Sequence, residues 1–126
     1  MKPLILLIAL LCGCAPLIVG VATYSAVNKA LGCDAPLTEP EPAWPRLEII
    51  WRIVPAETVR QNCDPGQRAC AHALLDLGQA WVYITPEDYA DAACREHERG
   101  HAEGRSHKYG DSGWARQVMD HYRRTR

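Results

Sequence analysis

The stretch from His97 to His107 constrains this chain more than any other. His97-Glu98-Arg99-Gly100-His101 is followed by Ala102-Glu103-Gly104-Arg105-Ser106-His107. The pattern is H-E-x-x-H-x-x-G-x-x-H, and it holds three of the five histidines of the protein. On a helix, His97 and His101 stand one turn apart on one face, where two imidazoles grip one metal ion. Glu98 lies beside them, placed to take a proton from water. Gly104 ends the helix with positive φ and turns the chain back, so that His107 arrives as a third ligand. Three nitrogen ligands with one position left open is the ligand set of a catalytic zinc site.

A helix over residues 86–103 is predicted without using that motif. Thr85 is a capping residue, Pro86 fits the first helical position, Asp88 completes a capping box, and Ile84 packs on Tyr89 as a hydrophobic staple. Upstream, Leu47, Ile49, Trp51 and Ile53 alternate with Glu48, Ile50, Arg52 and Val54, which predicts a strand ended by Pro55. Ala80 to Thr85 predicts a second, short strand. Between them, Asp64-Pro65-Gly66-Gln67 reads as the start of a helix over Arg68 to Leu77, stopped by Gly78. The other reading of that segment is a loop, because Gly66 is a poor early helical residue. After His107, Lys108 to Gly113 is rich in turn residues. Trp114, Val118 and Tyr122 then recur at helical spacing and predict a last helix that covers the core. The fold class is α+β: a short sheet packed on the metal-binding helix and a C-terminal helix.

A length of 126 residues suggests one domain at most, and the start of the chain stands apart from it. Met1-Lys2-Pro3 precedes an apolar run, Leu4 to Leu11, of signal-peptide length. Leu11-Cys12-Gly13-Cys14 resembles the lipobox of bacterial lipoproteins. That resemblance implies a signal peptide over residues 1–13 and Cys14 as the lipid-modified N-terminus. Ala15 is not the aspartate of an inner-membrane retention signal, so it further implies an outer-membrane anchor facing the periplasm. The alternative is an uncleaved anchor in which Leu17 to Ala26 extends the first run, although Gly13 and Pro16 interrupt such a helix. Residues 14–45 are expected to be a lipid-anchored tether. Pro36, Pro40, Pro42 and Pro45 make its second part, residues 34–45, extended and semi-rigid. The metal-binding domain is then residues 46–126.

Of six cysteines, Cys12 leaves with the signal and Cys14 takes the lipid. Cys33, Cys63, Cys70 and Cys94 remain, an even number that in an exported domain reads as two disulfides of open connectivity. A helix after Cys63 would put it too far from Cys70 to bridge, whereas a loop would make these two the natural pair. Cys94, one turn before the motif, has two readings: a disulfide partner, or a fourth ligand that closes the metal site. His72 lies among alanines and leucines and reads as a satisfied histidine rather than a ligand. Nothing points to nucleic acid: the net charge is −1, and the one basic run is the terminal Arg123-Arg124-Thr125-Arg126.

A strand leading into a metal-binding helix, with the third ligand past a glycine, resembles the zincin metallopeptidases. The longer motif resembles their metzincin branch, and His97, Glu98, His101, Gly104 and His107 fill each of its defining positions. The metzincin methionine turn has no counterpart, since Met119 falls inside the predicted last helix. The resemblance implies a small zincin-like domain with Zn2+ on His97, His101 and His107. It implies peptide-bond hydrolysis by metal-activated water, with Glu98 as general base and a peptide or protein of the envelope as substrate. Tyr109 and His121 are candidate donors to the developing oxyanion. The rival expectation is a non-catalytic lipoprotein, a binding or assembly factor of a secretion, conjugation or phage system, in which zinc is structural.

Overall fold

The computed structural model describes residues 31–126. The proposed signal peptide, Cys14 and the first part of the tether lie outside the described residues. The fold is α+β. A three-stranded sheet in the order β1-β3-β2 is formed by β1 (Glu48–Ile53), β2 (Cys70–Leu74) and β3 (Gln79–Ile84). The helices are α1 (Ala56–Asn62), α2 (Pro86–Ala90), α3 (Ala92–Ala102) and α4 (Trp114–Arg124). Among the described residues no helix is long and apolar enough to cross a membrane.

The central strand shows why the sheet forms. Ala80, Val82 and Ile84 of β3 alternate at 0% exposure, with Trp81 and Tyr83 half-buried on the opposite face. β1 runs parallel to β3 with Glu48 opposite Gln79 and Ile53 opposite Ile84, while β2 runs antiparallel. Ile49 and Trp51 of β1 join Val82, Ile84 and Cys94 in the core as expected, whereas Ile53 of the same face is 44% exposed and Ile50 of the other face is half-buried. Trp51 also packs edge-on to Tyr89 at 5.3 Å, which ties α2 to the sheet.

Two predicted helices come out differently. Residues 70–74 are a strand, not part of a helix over 68–77. Asp64-Pro65-Gly66-Gln67 is a turn: Gln67 N–H donates to the Asp64 carbonyl at 3.1 Å, and Gly66 has φ 86°. The Gln67 side chain does accept from the Asp64 N–H at 3.0 Å, so the capping signal is present and serves a turn instead. The Cys63–Cys70 disulfide then closes the loop, the pairing expected if the helix is absent. The predicted helix over 86–103 divides at Asp91. Thr85 caps α2 by accepting from the Asp88 N–H at 3.2 Å, and Asp91 caps α3 by accepting from the Ala93 N–H at 2.9 Å. Asp88 turns its carboxylate to Arg68 rather than back to the cap. α1 carries no strong sequence signal; its one buried side chain is Val59.

Residues 33–45 form a strap that lies along α3, so the packed unit reaches back past Arg46. Leu37 bridges to His107 in an antiparallel pair. Thr38 N–H donates to the Ser106 carbonyl at 2.8 Å, Glu41 N–H donates to the Gly104 carbonyl at 2.8 Å, and Trp44 Nε1 donates to the Ala102 carbonyl at 3.0 Å. Gly100 and Gly104 permit this approach: a Cβ on Gly100 would stand 2.4 Å from Leu37 Cδ1, and one on Gly104 2.4 Å from Trp44 Cγ. The prolines keep the strap extended, as expected, and the helix surface supplies the hydrogen bonds that an extended chain lacks.

The Cys33–Cys94 disulfide anchors the start of the strap to α3 across 61 residues. Loop-closure entropy assigns it roughly 4 kcal/mol and the seven-residue Cys63–Cys70 link roughly 2 kcal/mol. Urea unfolding should therefore show a larger loss of stability for Cys33→Ala/Cys94→Ala than for Cys63→Ala/Cys70→Ala.

Candidate metal centre

The three motif histidines converge. α3 presents His97 and His101 on one face, and its end is closed by two hydrogen bonds, Arg105 N–H to the Gly100 carbonyl and Gly104 N–H to the His101 carbonyl, both 3.0 Å. This is a Schellman ending with Gly104 at φ 85°, the positive φ that its position demands. The chain turns back and His107 enters through the bridge to Leu37. Ser106, 2% exposed, locks the return: its N–H donates to Thr38 Oγ1 at 3.0 Å and its Oγ accepts from the Ala115 N–H at 2.9 Å. Ser106 occupies a variable position of the motif, so no sequence pattern singles it out.

His97 Nε2 lies 3.2 Å from Nε2 of His107 and 3.2 Å from Nε2 of His101. One ligand atom from each residue falls within 4.8 Å of the others. A metal held tetrahedrally at 2.0–2.1 Å by nitrogen requires ligand atoms roughly 3.3 Å apart, which matches both spacings. His101 Nδ1 donates to the Arg105 carbonyl at 2.8 Å, which leaves a lone pair on its Nε2. The His97 ring is hydrogen-bonded to the Ala35 backbone, a second outer partner, supplied by the strap. Trp114 of α4 packs edge-on to His101 at 5.7 Å and against Trp44 at 5.8 Å. Read from the sequence, Trp114 is a core residue; in the fold it also buttresses a motif histidine.

Burial governs the charge of the cluster. Desolvation and the neighbouring His107 hold His97 down to about 4, with the Ala35 hydrogen bond and Asp34 opposing. Desolvation takes His101 to about 3 against the Arg105 hydrogen bond, and it lowers His107 despite Asp111. At neutral pH three uncharged imidazoles therefore face one another, a donor set that suits a cation and wastes its lone pairs without one.

Glu98 is 5% exposed, and its Oε2 is buried with no hydrogen-bond partner. Burial, followed by the Asp88 carboxylate, pushes its pKa up to about 8. Cys94 is not available as a fourth ligand, since it is bonded to Cys33. His72 sits exposed on β2, its Nε2 2.8 Å from the Asn62 carbonyl, and stands apart from the cluster, as expected. Tyr109 is 38% exposed and His121 is exposed on α4; neither belongs to the converging group. No family model matches the chain, and no curated protein or solved structure is significantly similar to it.

The charges predict how the metal-free protein responds to pH. Unfolded imidazoles take up protons near 6.5, whereas the folded His97 and His101 do so only near 4 and 3. The unfolded state therefore binds more protons across this window, and stability falls as pH drops below 6.5. Glu98 acts oppositely: folded, it keeps its proton to about 8, but unfolded it releases it near 4.5, so stability also falls as pH rises through that range. Thermal unfolding of chelator-treated protein should show maximum stability near pH 6.5. Glu98→Gln should abolish the decline on the alkaline side and leave the acid side intact.

Proposed function

We propose that His97, His101 and His107 hold a zinc ion and that the protein is a zinc-dependent metallopeptidase of zincin type, anchored in the bacterial envelope through Cys14. The observation that carries this reading is the convergence of three neutral imidazoles, with His97 Nε2 3.2 Å from Nε2 of both His101 and His107, beside a buried carboxyl oxygen without a hydrogen-bond partner. Zinc, when bound, supplies a Lewis acid for the scissile carbonyl and brings the ionisation of water near neutral pH. Glu98 takes a proton from the attacking water and passes it to the leaving amine nitrogen. A group with a raised pKa suits this exchange, and it ionises more readily once a cation is held by the neighbouring histidines.

The outer partners serve orientation. The Arg105 carbonyl and the Ala35 backbone fix two of the imidazole rings, and Trp114 limits the swing of His101. Tyr109, two residues past His107, is the candidate donor to the oxyanion. Two disulfides among the described residues support an oxidising compartment such as the periplasm. The substrate class is a peptide bond in an envelope protein or in the wall.

The reading is tested by measuring zinc content and cleavage of a mixed peptide pool by wild type and Glu98→Gln. Equal zinc with cleavage lost by at least about a hundredfold in the variant is the expected result. Zinc bound by both proteins and cleavage by neither would assign the metal a structural role.

A further inference from the structure

β1 is an edge strand with four large apolar residues and two opposite charges: Glu48-Ile49-Ile50-Trp51-Arg52-Ile53. Edge strands are ordinarily blunted by lysine, proline, a bulge or a cover. Here prolines stand only at the two ends, Pro45 and Pro55. The hydrogen-bond parity is set by the neighbouring strand. Glu48 N–H and Val54 N–H donate to Gly78 and Ile84 carbonyls at 2.9 Å, so the even-numbered residues face β3. Leu47, Ile49, Trp51 and Ile53 therefore turn their N–H and carbonyl groups to the open edge.

The stretch is chemically symmetric about Ile50. An antiparallel second copy centred there sets Ile50 against Ile50, Ile49 against Trp51, Leu47 against Ile53, and Glu48 against Arg52 twice over. Pro45 meets Pro55 at each end, where pairing must stop because proline has no N–H. The register also obeys the parity: Ile49 and Trp51 form the hydrogen-bonded pairs, and Ile50 sits on the two-fold axis as a non-hydrogen-bonded pair. Shifting the register two residues one way sets Arg46 against Arg52, and shifting it the other way leaves Glu48 and Arg52 without each other. Neither Glu48 nor Arg52 has an ion-pair partner among the described residues, although Arg52 lies over the Trp81 ring at 4.2 Å.

There is room for the partner strand. Leu47, Ile49 and Trp51 line an open cleft of about 930 Å3 together with Trp44 and, from α3, Arg99 and Ala102. A Trp51 from the second copy, opposite Ile49, enters this cleft. We propose that two copies of the chain associate through antiparallel β1–β1 pairing centred on Ile50, giving a continuous six-stranded sheet with two-fold symmetry. The metal-binding histidines lie on a different face of α3 from Arg99 and Ala102, so each copy keeps its cluster unobstructed.

The test is a charge-swap cycle on the full chain, read by sedimentation equilibrium in density-matched detergent. Wild type should be a dimer, and Glu48→Arg or Arg52→Glu alone should weaken it by about tenfold or more. The double variant Glu48→Arg/Arg52→Glu restores both cross-strand pairs and should return the affinity to within about threefold of wild type. In parallel, Ile50→Cys should cross-link to its counterpart without added oxidant beyond air, because residues on the axis stand roughly 4.5 Å apart at Cα. Arg52→Cys should not, since its two copies lie about 14 Å apart. A wild-type monomer up to about 1 mM overturns the proposal, including when residues 1–30 or another protein take the edge instead. A dimer indifferent to the charge swaps, or one that Arg52→Cys links as well as Ile50→Cys, overturns it too.

Discussion

The contact on which the rest depends is the strap lying against one flank of α3. Two glycines of that flank, Gly100 and Gly104, leave no side chain to hold the strap off, and Leu37 and Trp44 occupy the space. Each part of the candidate centre refers to this contact. Ala35 reaches the His97 ring, Leu37 pairs with His107, and Thr38 accepts from both Ser106 and the Arg105 guanidinium. The carbonyl of Arg105 in turn orients His101. A helix alone aligns two imidazoles; the strap brings in the third and sets the rotation of at least one of the pair.

This arrangement explains the placement of the cysteines. A strap of twelve or so residues with four prolines gains little from internal hydrogen bonds, so its docking must be enforced by its ends. Cys33–Cys94 fixes one end one helical turn before the motif histidines, and Trp44, wedged between Gly104 and Trp114, fixes the other. Cys63–Cys70 instead closes the turn that leads into β2, the edge strand paired antiparallel to β3.

Much of this was legible before the structure. The motif, its placement after Thr85 and Pro86, the positive φ at Gly104, the strands around residues 47–54 and 80–85 and the last helix all follow local rules of capping, period and turn chemistry. What was not legible is non-local. Proline-rich composition separates an extended segment from a helical one, but it does not distinguish an extended segment in water from one laid on a glycine-lined helix. The Asp64–Gln67 signal leaves a helix start and a loop both open because its side-chain bond is common to the two outcomes; the ladder to β3 and the Cys63–Cys70 disulfide settle it. Asp91 is a strong capping residue inside a predicted helix, and that local preference divides α2 from α3.

The energetics of the site set it apart from the core around it. The core is apolar and closed: Ala80, Val82 and Ile84 have no exposed surface. One turn beyond Cys94, the same helix buries a carboxyl oxygen without a partner, and its His97 and His101 meet His107 from the loop that follows, His97 Nε2 lying 3.2 Å from Nε2 of each. An unsatisfied buried polar group costs about 1–3 kcal/mol, a large share of the stability of a domain this size. Apolar residues at Glu98 and His101 would pack there with no such cost. Glu98 and the three histidines are therefore a cost to folding unless a cation fills the space between them, and three uncharged imidazoles brought this close are a donor set that could hold one.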